Sequence, residues 1–199
     1  MEGTNPVNKK LAAALSGGAV LVMALSGCSS DDGNKELDNW AKSLCGQIKP
    51  QLEKSVKAQQ AIISTAADGN REEIKKVDSA SFQASADAYT AIAAALEKAG
   101  PPPVDDGKKI QTDTVKELEK ASKAYEDLKK QSDEMDAKDD SPEGVKKFSD
   151  DLKKIADELG KIQDEGADAL QSLTEGEVGE AIGKQPDCKV ESASPSAAN

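Results

Sequence analysis

Three cysteines are the residues of this chain best suited to covalent chemistry, and their settings differ. Cys28 ends the run Leu25-Ser26-Gly27-Cys28, with a Leu three residues upstream and two small residues directly before it. Cys45 and Cys188 are the pair that remains, and an even remainder is the arithmetic of a single disulfide. Around them the usual catalytic residue types are sparse. The chain has no His, which removes the commonest general base and the commonest transition-metal ligand together. Di-iron bundles need Glu-x-x-His, EF-hands need an Asp-x-Asp-x-Asp-Gly loop, and serine hydrolases need a partnered nucleophile; none of these patterns occurs. The acidic clusters Asp139-Asp140, Asp150-Asp151 and Glu175/Glu177 read better as helix caps and solvated faces than as weak calcium sites. The expectation is no catalytic residue, no cofactor-binding residue, no metal ligand and no enzyme.

Charge narrows the partners. The formal net charge is −11, and Arg71 is the only Arg, so neither a basic patch for phosphates nor a set of bidentate clamps is present. Nucleic acid is excluded as a partner on this ground. Aromatic residues are 3% of the chain, too few for base-stacking platforms or aromatic cages.

The first 27 residues have the parts of an export signal. Lys9-Lys10 flank a short apolar run over residues 11–25, and small residues precede the junction. About 15 apolar residues are too few to span a bilayer comfortably as a helix. The junction itself resembles a lipobox, the bacterial lipoprotein signal. That resemblance implies cleavage between Gly27 and Cys28, a diacylglyceryl thioether on Cys28, and retention at the outer face of the cytoplasmic membrane, with some release to the medium. Each buried methylene adds about 0.8 kcal/mol, so two acyl chains anchor stably. The chain therefore divides into a signal peptide (1–27), a lipidated Cys with a flexible tether (28–34), a folded domain (35–188) and a polar, disordered tail (189–199).

The folded domain is organised around residues 145–173. Val145, Phe148, Leu152, Ile155, Leu159, Ile162, Gly166, Ala169 and Leu173 form an apolar seam over about four heptads, with Lys, Asp and Glu at most other positions. A helix with one apolar stripe must bury it against other helices. Three further periodic segments precede it. The first carries Leu37, Trp40, Leu44, Ile48 and Leu52, with Pro50 expected to kink or divide it after Ile48 or Lys49. After a turn at Asp68-Gly69-Asn70, the second starts at Asn70 with Glu73 in capping-box spacing. It is dense in Ala and ends at Gly100-Pro101-Pro102-Pro103. The third follows Asp105-Asp106 and is laced with charges, including a Glu126→Lys130 pair. The fourth opens with Ser141 as cap and Pro142 at its first position, and Val178 and Ile182 extend it beyond Leu173. Gly160 and Gly166 mark close helix approach or, as the alternative, room for a small ligand. Trp40 is a core residue.

Segments of about 30 residues joined by short links predict an all-α, antiparallel up-down-up-down four-helix bundle. Such a topology brings Cys45, near the start of helix one, beside Cys188, just beyond helix four. An exported compartment is oxidising, so a Cys45–Cys188 disulfide is expected.

The leader, the Trp-Ala-Lys-x-x-Cys stretch from Trp40 to Cys45, the Lys/Glu/Ala-rich middle and Asp187-Cys188-Lys189 together resemble the actinobacterial, Streptomyces-type lipoproteins called "small secreted protein". The resemblance implies a lipoprotein of the cell envelope and carries no activity. The functional expectation is a non-enzymatic, lipid-anchored interaction or scaffold module meeting an envelope protein or the cell wall. The alternative is an extracytoplasmic binding protein or sensor, holding a small apolar ligand or lipid near Trp40.

Overall fold

The computed structural model describes residues 35–66, 70–169 and 171–189. The expected signal peptide, Cys28 and its tether, the turn residues Asp68 and Gly69, and the tail from residue 190 lie outside the described residues. Every element described is helical: α1 (Lys35–Ala66), α2 (Arg71–Ala99), α3 (Gly107–Glu134), α4 (Pro142–Ala169), α5 (Gln171–Thr174), α6 (Gly176–Gly183) and a 3-10 turn at Pro186–Cys188. They pack as a helical bundle.

Local chemistry sets the helix starts. The Asn70 side chain accepts the Glu73 amide at 3.2 Å, and the Ser141 hydroxyl accepts the Gly144 amide at 3.0 Å. Each cap satisfies one of the donors that a first turn leaves without a helical partner. Pro142 follows at the position where a missing N–H costs nothing.

Pro50 does not divide α1, which runs unbroken from Lys35 to Ala66. Proline removes the amide that would reach the carbonyl four residues back, here Gly46. Gly46 and Pro50 are both exposed, so water can take that carbonyl while Leu44 and Leu52 keep packing on the opposite face. The expected extension of the fourth helix through Val178 and Ile182 is also corrected. Glu175 is extended (φ −112°, ψ 163°), Gly176 has φ 61°, and a new helix, α6, begins there. That left-handed φ is accessible to Gly at little cost. Leucine and valine periodicity alone cannot register this break.

Along the fourth seam Phe148, Ile155, Leu159 and Leu173 are buried, but Val145 is 46% exposed and contributes little to the core. Close approach at the two α4 glycines is not what the structure shows. A Cβ placed at Gly160 or Gly166 would meet nothing within 4 Å, so neither marks a close approach.

Close approach occurs instead between α2 and α3, where the Ala-rich run lies. Ala86, Ala88 and Ala93 are buried, and two α3 serines reach across to the α2 backbone. Ser122 Oγ donates to the Ala86 carbonyl at 2.9 Å, and Ser132 Oγ donates to the Lys75 carbonyl at 3.1 Å. Hydroxyls that short reach a neighbouring backbone only when the helix axes lie close.

The apolar residues gather into two clusters. One joins Leu37, Trp40, Leu44, Ile92, Leu96, Leu118, Leu173 and Val178; the other joins Ile62, Ile74, Phe82, Tyr125, Leu128, Met135, Phe148 and Ile155. Tyr89 packs against both.

Candidate functional site

Cys45 and Cys188 are joined by a disulfide with their Cα atoms 5.0 Å apart. Cys45 sits on the buried face of α1 and is fully enclosed. Around it the end of the chain is fastened to α1 by unlike contacts. Val178 and Ala181 of α6 join the cluster of Leu37, Trp40 and Leu44, Lys184 pairs with Asp38 at 3.5 Å, and Lys49 pairs with Asp187 at 2.8 Å. The hydrogen bond that Lys49 donates to Asp187 raises the Lys49 pKa, with the charge of Asp187 adding to it. Trp40 belongs to this end: it is 9% exposed, and its indole N–H donates to the Gly100 carbonyl at 2.9 Å. We call this the bridged end.

The opposite end is held by hydrogen bonds. Arg71 donates to the Asp139 carbonyl at 2.6 Å, pairs with Asp140, and lies over the Phe148 ring at 5.9 Å. Lys75 donates to the Met135 carbonyl at 2.6 Å, and Ser79 donates to Asp133 at 2.6 Å. Two of the acidic clusters of the sequence, Asp139-Asp140 and Asp150-Asp151, are engaged here and along α4 in turns and ion pairs. Asp139 accepts the Ser141 amide at 2.9 Å, which with the Ser141 hydroxyl lowers its pKa, while Asp150 and Asp151 pair with Lys146 and Lys147. Lys130 bonds to Asp127 at 2.9 Å, where the sequence reading paired it with Glu126; the i−3 carboxylate lies nearer on this face.

Behind these surface contacts is a group that periodicity passed over. Asp78 is 5% exposed and sits one turn from Ile74 and one turn from Phe82 on the buried face of α2. Burial pushes its carboxyl up to about 7, and neither a hydrogen bond nor a neighbouring charge opposes that effect. Desolvation disfavours the carboxylate and leaves the neutral acid as the comfortable state. The signal was present in the sequence, since Asp78 lies at i+4 from Ile74 and i−4 from Phe82, both apolar seam positions.

Farther along, Tyr89 stacks on Tyr125 with centroids 5.4 Å apart, and Phe82 lies 6.5 Å from Tyr125. Burial raises both tyrosine pKa values. The Tyr125 hydroxyl faces Tyr89 and Gln59 without closing a hydrogen bond of good geometry, and Thr114 Oγ1 is likewise buried without one. Outside the clusters, a shallow cleft of about 40 Å3 between α3 and α4 is floored by Ala121, Ala124, Ile162 and Gly166. Lys120 spans its mouth, 3.6 Å from Glu117 and 3.2 Å from Glu165.

Of the residues singled out by sequence, Cys45 and Cys188 are thus brought together, and Cys28 lies outside the described residues. Among the described residues no group of three or more His, Cys, Asp or Glu is arranged to hold a metal ion, and no helix is long and apolar enough to cross a membrane. Compared with family models, with characterised proteins and with solved structures, the chain matches none.

Proposed function

We propose that this is a non-enzymatic, lipid-anchored protein of the cell envelope whose helical domain serves as an interaction or scaffold module for an envelope protein or the cell wall. The observation that carries the reading is Leu25-Ser26-Gly27-Cys28 behind a positively flanked apolar run. A stable disulfide fits an oxidising, exported setting. Within this reading the four long helices form an antiparallel up-down-up-down bundle. Supporting it, Trp40 near the start of α1 bonds to Gly100 after α2, Gln111 near the start of α3 bonds to the Leu96 carbonyl at 2.9 Å, and Lys75 near the start of α2 bonds to Met135 after α3. The bridged end then faces the membrane, a short tether away, and the end holding Asp78 points outward.

The ligand-binding alternative has weaker support. Trp40, its expected wall, is packed and hydrogen-bonded, and the cleft of about 40 Å3 beside Lys120 does not include it.

Intact mass spectrometry of the full chain extracted from its native membrane tests the reading. The expected species starts at Cys28, carries a diacylglyceryl increment and is two hydrogens short for the disulfide. An unlipidated chain found wholly in the medium overturns the anchor.

A further inference from the structure

We propose that the end of the bundle opposite the disulfide is a pH-sensitive element, packed tightly while the Asp78 side chain is neutral and loosened when it ionises. The proposal stands on the placement of the carboxyl, and it holds whether or not Cys28 is lipidated. Asp78 occupies a position that the spacing of Ile74 and Phe82 reserves for an apolar side chain, and it is 5% exposed there. A carboxylate in such a place needs a cation or several donors; none of either bonds to Asp78 among the described residues, and several cations of the neighbouring segments hold other partners. On α2, Lys75 is bound to the Met135 carbonyl and Arg71 to Asp139 and Asp140. On α3, Lys129 is paired with Asp133, and Tyr125 is held in the aromatic stack. On α4, Lys147 is paired with Asp151 and Lys146 with Asp150. The last turns of α1, residues 58–66, contain no charged residue.

The neutral acid is therefore the form that fits this core, and burial alone moves its titration to about 7. An ionised Asp78 is relieved by admitting water, which means separating α2 from its neighbours near Ile74. The contacts that would have to yield are the Ser79–Asp133, Lys75–Met135 and Arg71–Asp139 hydrogen bonds. Among the described residues no covalent link crosses this end, in contrast to the disulfide at the other. The consequence is a domain closed throughout in acid surroundings and open at one end in alkaline ones.

Hydrogen exchange of the full chain with its disulfide intact, corrected for intrinsic exchange rates, reads this directly at pH 5.5 and pH 8.5. Amides of residues 58–66, 71–82 and 125–135 should lose protection at least about tenfold at the higher pH, while residues 37–48 and 89–99 hold theirs. Asp78→Asn should keep full protection at both values. As a measurement that needs no variant, the carbon-13 shift of the Asp78 carboxyl should titrate with a midpoint near neutrality. Equal loss at both ends, an unchanged response in Asp78→Asn, or a carboxyl midpoint near 4 overturns the proposal.

Discussion

At the bridged end, Leu37, Trp40, Leu44, Leu96 and Leu118 pack without a buried acid or base, and α6 lies over them, tied by Cys188 to Cys45. At the far end, Ile74, Phe82, Tyr125, Leu128 and Phe148 pack just as closely but share their interior with Asp78 and with hydroxyls of Tyr125 and Ser132. The first end gains stability by restricting the unfolded chain and by burial that is apolar apart from the Trp40 indole N–H and the Thr114 hydroxyl. The second depends on the protonation of one side chain and on hydrogen bonds at its rim. Two regions of one short bundle thus respond to different variables, one to redox conditions and the other to pH.

The largest expected effect separates them by covalent chemistry. The bridge spans 143 residues of sequence. Loop-closure entropy assigns a loop of that length about 5 kcal/mol. Replacing both Cys45 and Cys188 by Ala should lower unfolding stability in urea by about that amount, with hydrogen exchange rising first in α6 and the start of α1. A loss below about 1 kcal/mol would show that apolar packing of α6 suffices without the bond.

The next effect belongs to the far end and has a definite sign. Asp78 titrates near 7 in the folded chain and near 4 when unfolded. Between those values the folded state holds a proton that the unfolded state has lost, so stability falls as pH rises. Three pKa units correspond to about 4 kcal/mol, lost progressively from pH 4 to just above 7. Asp127, Asp133 and Asp139 are shifted downward by their hydrogen bonds, so their contribution has the opposite sign and disappears as pH falls below about 4. Chemical denaturation of the wild-type chain should show greatest stability in mildly acid buffer. Asp78→Asn should flatten the fall between pH 4 and 7; an unchanged slope would place the proton elsewhere.

How much of this was legible in the sequence follows from what periodicity encodes. Apolar spacing and capping residues located four helices to within a few residues, because Asn70, Ser141 and Pro142 are local signals acting on their own turns. The disulfide was legible from the even pair of cysteines left outside the leader and from their places near the two ends of the helical region. That Pro50 would leave α1 undivided was not legible, because its cost depends on whether water reaches the Gly46 carbonyl, a property of the folded surface. The break at Gly176 was missed for a related reason: the apolar residues on either side suit one helix or two. Asp78 was the real omission, a charged residue in an apolar phase that the seam reading passed over.

A smaller effect probes the polar interior of the far end. The Tyr125 hydroxyl is buried without a well-formed hydrogen bond, so it contributes desolvation cost and little return. Tyr125→Phe keeps the ring against Tyr89 and Phe82 and should raise stability by about 1 kcal/mol in thermal unfolding. A loss of similar size would mean that Tyr89 and Gln59 close on the hydroxyl in solution.

The smallest effect contrasts two glycines that look alike in sequence. A Cβ on Gly179 in α6 would stand 2.2 Å from the Thr174 carbonyl oxygen, so the turn that brings the chain end back over α1 has room only for hydrogen there. A Cβ on Gly160 in α4 would meet nothing. Gly160→Ala should therefore stabilise by about 0.5–1 kcal/mol, through the lower entropy of the unfolded chain and better helix propensity. Gly179→Ala should destabilise, and its cost should shrink once the disulfide is reduced and α6 is free to move away. Thermal unfolding of both variants, oxidised and reduced, checks this. If Gly179→Ala costs the same in either redox state, the disulfide is not what presses α6 into its tight turn, and Val178 and Ala181 packing with the Lys184–Asp38 and Lys49–Asp187 pairs holds it there.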